Sequence, residues 1–106
     1  MNNLESIEQT IKEDLAVMLY FSAPTCNVCH ALKPKLLEAF ETNFGQFQII
    51  SIDISETPEI SSHFGVFAIP TVLLFLDGKE FLRKSRHMSV GEVVEAIRRP
   101  YEIMTS

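Results

Sequence analysis

Two cysteines, Cys26 and Cys29, stand in the stretch Tyr20-Phe21-Ser22-Ala23-Pro24-Thr25-Cys26-Asn27-Val28-Cys29-His30, and the chain has no others. A Cys-x-x-Cys that follows an apolar run and precedes a helical pattern reads first as a dithiol/disulfide redox pair. The thiolate is the reactive species. A helix N-terminus favours it by offering unpaired N–H groups and a partial positive charge. Two intervening residues let a second thiolate attack the mixed disulfide made by the first. Cys26, at the helix start, is the expected attacker, and Cys29, one turn on and pointing inward, the expected resolving thiol.

Other chemistries use the same residue types. Two inert core thiols are the plain alternative, although structural cysteines seldom sit at a helix start. Cys26-Asn27-Val28-Cys29-His30 also matches a haem-attachment signature. Covalent c-type haem normally needs export, however, and the ligand would have to emerge beside Pro34. A zinc or iron–sulfur site needs about four ligands. Cys26, Cys29, His30, His63 and His87 could be counted, but only a cluster bridging subunits would gather them. No metal and no cofactor is expected. His30 is expected at the surface, tuning a nearby cysteine, and His63 on the exposed side of a short helix.

The 106 residues are expected to form a single domain, residues 1–106, that buries a core without staples. Apolar residues make up 46% and charged residues 22%, which excludes a disordered chain. A net charge of −5 without a basic tract argues against nucleic acid as a partner. The N-terminus, Met1 to Glu5, has neither the cationic segment nor the apolar run of a signal peptide, and no run is long enough for a membrane helix. The expected compartment is cytoplasmic, where two cysteines are not expected to serve as a structural staple.

Leu4, Ile7 and Ile11 mark one face of a first helix, with Asn2 or Asn3 as its N-cap. Ala16–Phe21 reads as a strand buried on both faces. The stripe Ala31, Leu32, Leu36, Leu37, Phe40, Phe44 makes a second helix ending at Gly45, bent by Pro34 near Cys29–His30. Phe47–Asp53 is a second strand, and Glu56-Thr57-Pro58-Glu59 opens a helix that Gly65 ends. Thr71–Leu76 is a third strand. Asp77-Gly78 turns the chain into a fourth, from about Glu80 to Arg86. Ser89-Val90-Gly91-Glu92 has capping-box spacing for a last helix, which Pro100 should close. Strands joined by a helical crossover should be parallel, and the terminal hairpin antiparallel. The sum is an α/β fold with a four-stranded mixed sheet and helices on both faces.

In that order the chain resembles the thioredoxin family. Four features carry the resemblance: an apolar strand entering Cys26-Asn27-Val28-Cys29, Pro34 five residues beyond, Ile69-Pro70-Thr71 opening the third strand, and the Asp77-Gly78 hairpin. It covers about Ala16 to Ile97. It implies a thioredoxin fold and a thiol–disulfide oxidoreductase that contributes to redox homeostasis, with Cys26 as nucleophile and Cys29 as resolving thiol. Pro70 would be a cis-proline packed against the disulfide, with Ala68 and Ile69 receiving the substrate chain as an added strand. Protein disulfides would be the substrates, a thioredoxin reductase the recharging partner, and the protein a monomer.

Departures from the family pattern are specific. Thr25 replaces the tryptophan before the first cysteine, and Asn27-Val28 the usual Gly-Pro. Tyr20 takes the place of a buried aspartate thought to assist proton transfer at the resolving thiol, and the lysine that often partners it falls on Ile49. Ser85-Arg86-His87 replaces a glycine loop near the disulfide. These departures raise an alternative, a thioredoxin-fold binding or adaptor module with regulatory or weakly active cysteines. Phe67, just before Ala68-Ile69-Pro70, could be exposed near the site and touch substrate.

Overall fold

The computed structural model describes residues 3–105. Eight elements follow in the order α1 (Leu4–Glu13), β1 (Ala16–Ser22), α2 (Asn27–Asn43), β2 (Phe47–Asp53), α3 (Pro58–Phe64), β3 (Thr71–Leu76), β4 (Lys79–Ser85) and α4 (Val90–Thr105). They form a four-stranded mixed sheet in the order β2-β1-β3-β4. β1 and β3 lie in the middle, and every residue from Ala16 to Phe21 and from Thr71 to Leu76 is buried. Alternation of side chains along these strands serves two cores. Ala16, Met18, Tyr20, Val72 and Leu74 pack beneath α2 and α4 with Phe40, Val93 and Ile97. Val17, Leu19, Phe21, Leu73 and Phe75 pack on the other face with Ile7, Ile11 and Ile60.

Local chemistry accounts for most of the boundaries. Asn3 caps α1, its Oδ1 accepting the Ser6 N–H at 2.8 Å, whereas Asn2 lies outside the described residues. Thr57 precedes Pro58 at the start of α3, and Gly65 ends that helix at φ 68°, a left-handed conformation suited to glycine. Asp77 and Gly78 both have positive φ, 52° and 80°, the combination that closes a two-residue hairpin. Ser89 Oγ accepts the Glu92 N–H at 3.1 Å and stands 3.2 Å from the Glu92 carboxylate, capping α4.

Two expectations are corrected. The first concerns strand direction. β1 and β2, joined by α2, are parallel, but β3, joined to β2 by α3, runs antiparallel to β1. With seven residues α3 is about 10 Å long, too short to return the chain along a seven-residue strand of about 23 Å. The chain therefore enters β3 at the end where it left β2. The loop before β3 is thereby brought to the same end of the sheet as the start of α2.

The second concerns Pro100, which does not end α4; the helix continues to Thr105. Tyr101 holds the continuation. It is buried at 7% exposure, its ring lies 4.8 Å from Phe44 and 5.5 Å from Phe47, and its hydroxyl accepts the Gln46 N–H at 3.1 Å. A proline inside a helix costs about 3 kcal/mol, which burial of a large aromatic side chain can offset.

The α3 end is tied to the edge strand through Arg83. Its guanidinium donates to the Phe64 carbonyl at 2.8 Å, the Gly65 carbonyl at 3.2 Å and the Glu80 carboxylate at 2.9 Å. The Arg83 hydrogen bond lowers the Glu80 pKa from its ordinary 4.5. Hydrogen bonds from Ser55 likewise lower Asp53 from 3.8. Carboxyls depressed in the folded state stabilise it above their unfolded values, and the contribution is lost as pH falls through the folded ones. Denaturant midpoints should therefore drop below about pH 4.5, with a shallower drop in an Asp53→Asn, Glu80→Gln variant. Equal slopes for the two proteins would contradict this assignment.

Candidate active site

β1 ends at Ser22, and Ala23-Pro24-Thr25 carries the chain to Cys26, the N-cap of α2. The Cys26 N–H donates to the Ala23 carbonyl at 3.0 Å, and the His30 ring nitrogen Nε2 lies 2.9 Å from the Pro24 carbonyl. His30 thus braces the loop from the exposed side of the helix. Cys26 and Cys29 are disulfide-bonded, with their Cα atoms 5.2 Å apart. Cys26 is partly exposed, whereas Cys29 is only 1% exposed.

The Cys29 N–H donates to Cys26 Sγ at 3.1 Å, the contact an N-cap side chain makes with the first helical turn. When the pair is reduced, the same donor and the helix dipole stabilise negative charge on Cys26. No acidic residue stands in the first turn of α2 to oppose this.

Tyr20 is the site's other buried polar group. At 1% exposure, its hydroxyl donates to the Cys29 carbonyl at 2.7 Å. Burial pushes its pKa above 10, so the phenol keeps its proton at neutral pH and does not act as a carboxylate base would. It fixes the backbone of Cys29 instead. Tyr20→Phe should cost about 1 kcal/mol in chemical denaturation while leaving disulfide reduction within about twofold of wild type. A loss of more than tenfold in turnover with the fold intact would instead put the hydroxyl in the proton path.

Across from the cysteines, the Ile69–Pro70 peptide bond is cis. A groove of about 430 Å³ is lined by Cys26, Asn27, Val28, Ile69, Pro70, Arg86 and His87. Ala68 is not part of its lining, and its carbonyl accepts from Thr71 Oγ1 at 2.6 Å. Among the described residues neither the N–H nor the C=O of Ile69 has a hydrogen-bond partner, which leaves both open to an incoming strand. Val28, at 62% exposure, borders the groove, and Phe67, at 83%, lies two residues before Ile69. A larger depression of about 680 Å³ lies along α1, lined by Leu4, Glu5, Glu8, Gln9, Lys12 and Glu13, and neither cysteine reaches it.

The histidines do not gather. His63 pairs with Glu8 at 3.3 Å, while His30 stands on α2 and His87 in the loop after β4. Among the described residues no three of His, Cys, Asp and Glu come close enough to hold a metal ion. Two contacts escaped sequence reasoning, the Tyr20 bond to the Cys29 carbonyl and the place of Asn27 in the groove wall. The first joins residues nine positions apart through a buried side chain, which no periodic pattern reveals.

An α/β sheet with a disulfide-forming Cys-x-x-Cys at the N-terminus of the crossover helix defines a thiol–disulfide oxidoreductase. The thioredoxin family model matches residues 2–99. Thioredoxin-like protein YdfQ of Bacillus subtilis is 34% identical over 97% of this chain and 91% of its own. A thioredoxin of Rickettsia bellii is 36% identical over 69% of this chain and 70% of its own. Among solved structures, thioredoxin 1 of Thermosipho africanus superposes with a TM-score of 0.76 at 31% identity, covering 85% of this chain and 99% of that one. Mitochondrial thioredoxin 3 of Saccharomyces cerevisiae, in its oxidized form, shares the fold with a TM-score of 0.83 at 22% identity, covering 93% and 92%. The chain belongs to the thioredoxin family.

Proposed function

We propose that residues 1–106 act as one thioredoxin-like domain that reduces protein disulfides through the Cys26/Cys29 couple. The observation that carries this reading is the partly exposed Cys26 sulfur at the α2 N-terminus, beside Ile69 with its free backbone groups. The Cys26 thiolate attacks one sulfur of the substrate disulfide, forming a mixed disulfide and releasing the first substrate thiolate. Cys29 then loses its proton and attacks Cys26 Sγ, closing the Cys26–Cys29 bond and releasing the second. Two electrons and two protons pass from the dithiol to the substrate.

The substrate chain aligns beside Ile69 as an added strand, with Pro70 against the sulfurs and Ala68 shaping the loop behind them. A thioredoxin reductase restores the dithiol, and the protein works as a cytoplasmic monomer in redox homeostasis. No helix among the described residues is long and apolar enough to cross a membrane.

Insulin precipitation with dithiothreitol as reductant tests the reading; turnover above the dithiothreitol background is expected. A binding or adaptor role is the competing reading, favoured by Tyr20 standing where many relatives carry an acid. Absence of turnover together with an ordinary Cys26 thiol pKa near 8.5 would favour it instead.

A further inference from the structure

Resting on the disulfide-reductase reading above, we infer that Arg86 makes this groove selective for polypeptide disulfides with an acidic residue beside the attacked cysteine. The chain carries 14 acidic and 9 basic residues, yet the groove lining contains no carboxylate. Its charged members are Arg86 and, when protonated, His87. The site is thus a cationic spot on an anionic protein.

Among the described residues, two of the other three arginines have carboxylate partners, and Arg99, exposed on α4, does not. Arg83 is paired with Glu80 at 2.9 Å and Arg98 with Glu95 at 3.1 Å. No carboxylate of the described residues lies within ion-pair distance of the Arg86 guanidinium. Its donors are free for a ligand, and a guanidinium presents them in a planar fork that fits a carboxylate.

Backbone geometry places that fork. Arg86 sits at φ 60°, a left-handed conformation costly for a side chain with a Cβ and natural for glycine. Its N–H donates to the Pro70 carbonyl at 2.7 Å, holding the loop against the residue that follows Ile69. The left-handed backbone at Arg86 thus sits in the lining of the same groove as Cys26. A substrate strand alongside Ile69 would carry its side chains past Arg86.

Three disulfide-bridged peptides, identical except for Glu, Gln or Lys beside the attacked cysteine, test this with the reduced protein and dithiothreitol. At low salt the wild type should prefer Glu over Lys by about fivefold in kcat/KM, with Gln between, the size expected of an exposed ion pair. Raising the salt to about 0.5 M should compress the preference, because screening then acts within a few ångströms. Arg86→Gln should abolish the order and Arg86→Glu should reverse it, each variant's fold being checked by its melting curve. An unchanged Glu-to-Lys ratio in folded Arg86→Glu would overturn the inference while leaving the reductase reading intact. Failure of the wild type to reduce any of the three peptides would overturn both.

Discussion

Replacement of Cys26 by serine is expected to bring insulin reduction down to the dithiothreitol background without unfolding the protein. Both halves of the prediction come from the position of Cys26. As the N-cap of α2 it presents a sulfur to the groove and accepts the Cys29 N–H. Serine is a preferred N-cap whose oxygen can accept the same donor, so the helix start should survive within about 1 kcal/mol of the reduced wild type. The nucleophile is lost, because a hydroxyl does not ionise near neutrality and thiolate attack on a disulfide has no oxygen counterpart here.

The matching change at Cys29 should behave differently. Cys29 is 1% exposed, so alanine is the better replacement, since a buried serine hydroxyl without a partner would cost about 1–3 kcal/mol. Cys29→Ala should still attack through Cys26 and then stall as a mixed disulfide. A non-reducing gel or a mass spectrum should show the adduct, and dithiothreitol should release it. Wild-type turnover by either variant would remove the assigned roles.

Tyr101→Ala should cost about 3–5 kcal/mol, by analogy with other large aromatic truncations. The ring fills a cluster with Phe44 and Phe47, and Phe40 packs against both of those rings. The cluster joins the end of α2, the start of β2 and the last turns of α4. Tyr101→Phe should cost about 1 kcal/mol, because only the acceptor for the Gln46 N–H is lost. Urea denaturation would separate the two variants. If α4 beyond Pro100 is held by this ring, helical circular dichroism should also fall in Tyr101→Ala. An alanine variant as stable as the phenylalanine variant would show that the proline is tolerated for another reason.

Arg86, Tyr20 and Tyr101 illustrate different degrees of legibility. Arg86 was visible as a departure from a glycine loop, but its freedom from ion pairs depends on which carboxylates the fold leaves nearby. Tyr20 was visible as a substitution at the place of an acid. That its hydroxyl is spent on the Cys29 carbonyl follows from packing β1 under α2. Tyr101 lay next to Pro100, and a local rule ended the helix there; a contact to Gln46, 55 residues away, reversed it.

By itself, the sequence determined the element order, both hairpin residues, the extents of β2 and β3, and the redox pair at the head of α2. These depend on short-range periods, on glycine and proline geometry, and on the spacing of two thiols, all of which operate within a few residues. Tertiary structure decided the direction of β3, the persistence of α4 beyond Pro100, and the bond from Tyr20 to the Cys29 carbonyl. Each rests on contacts between separate elements of the chain. Their free energy comes from burial and from hydrogen bonds that exist only once the sheet has assembled.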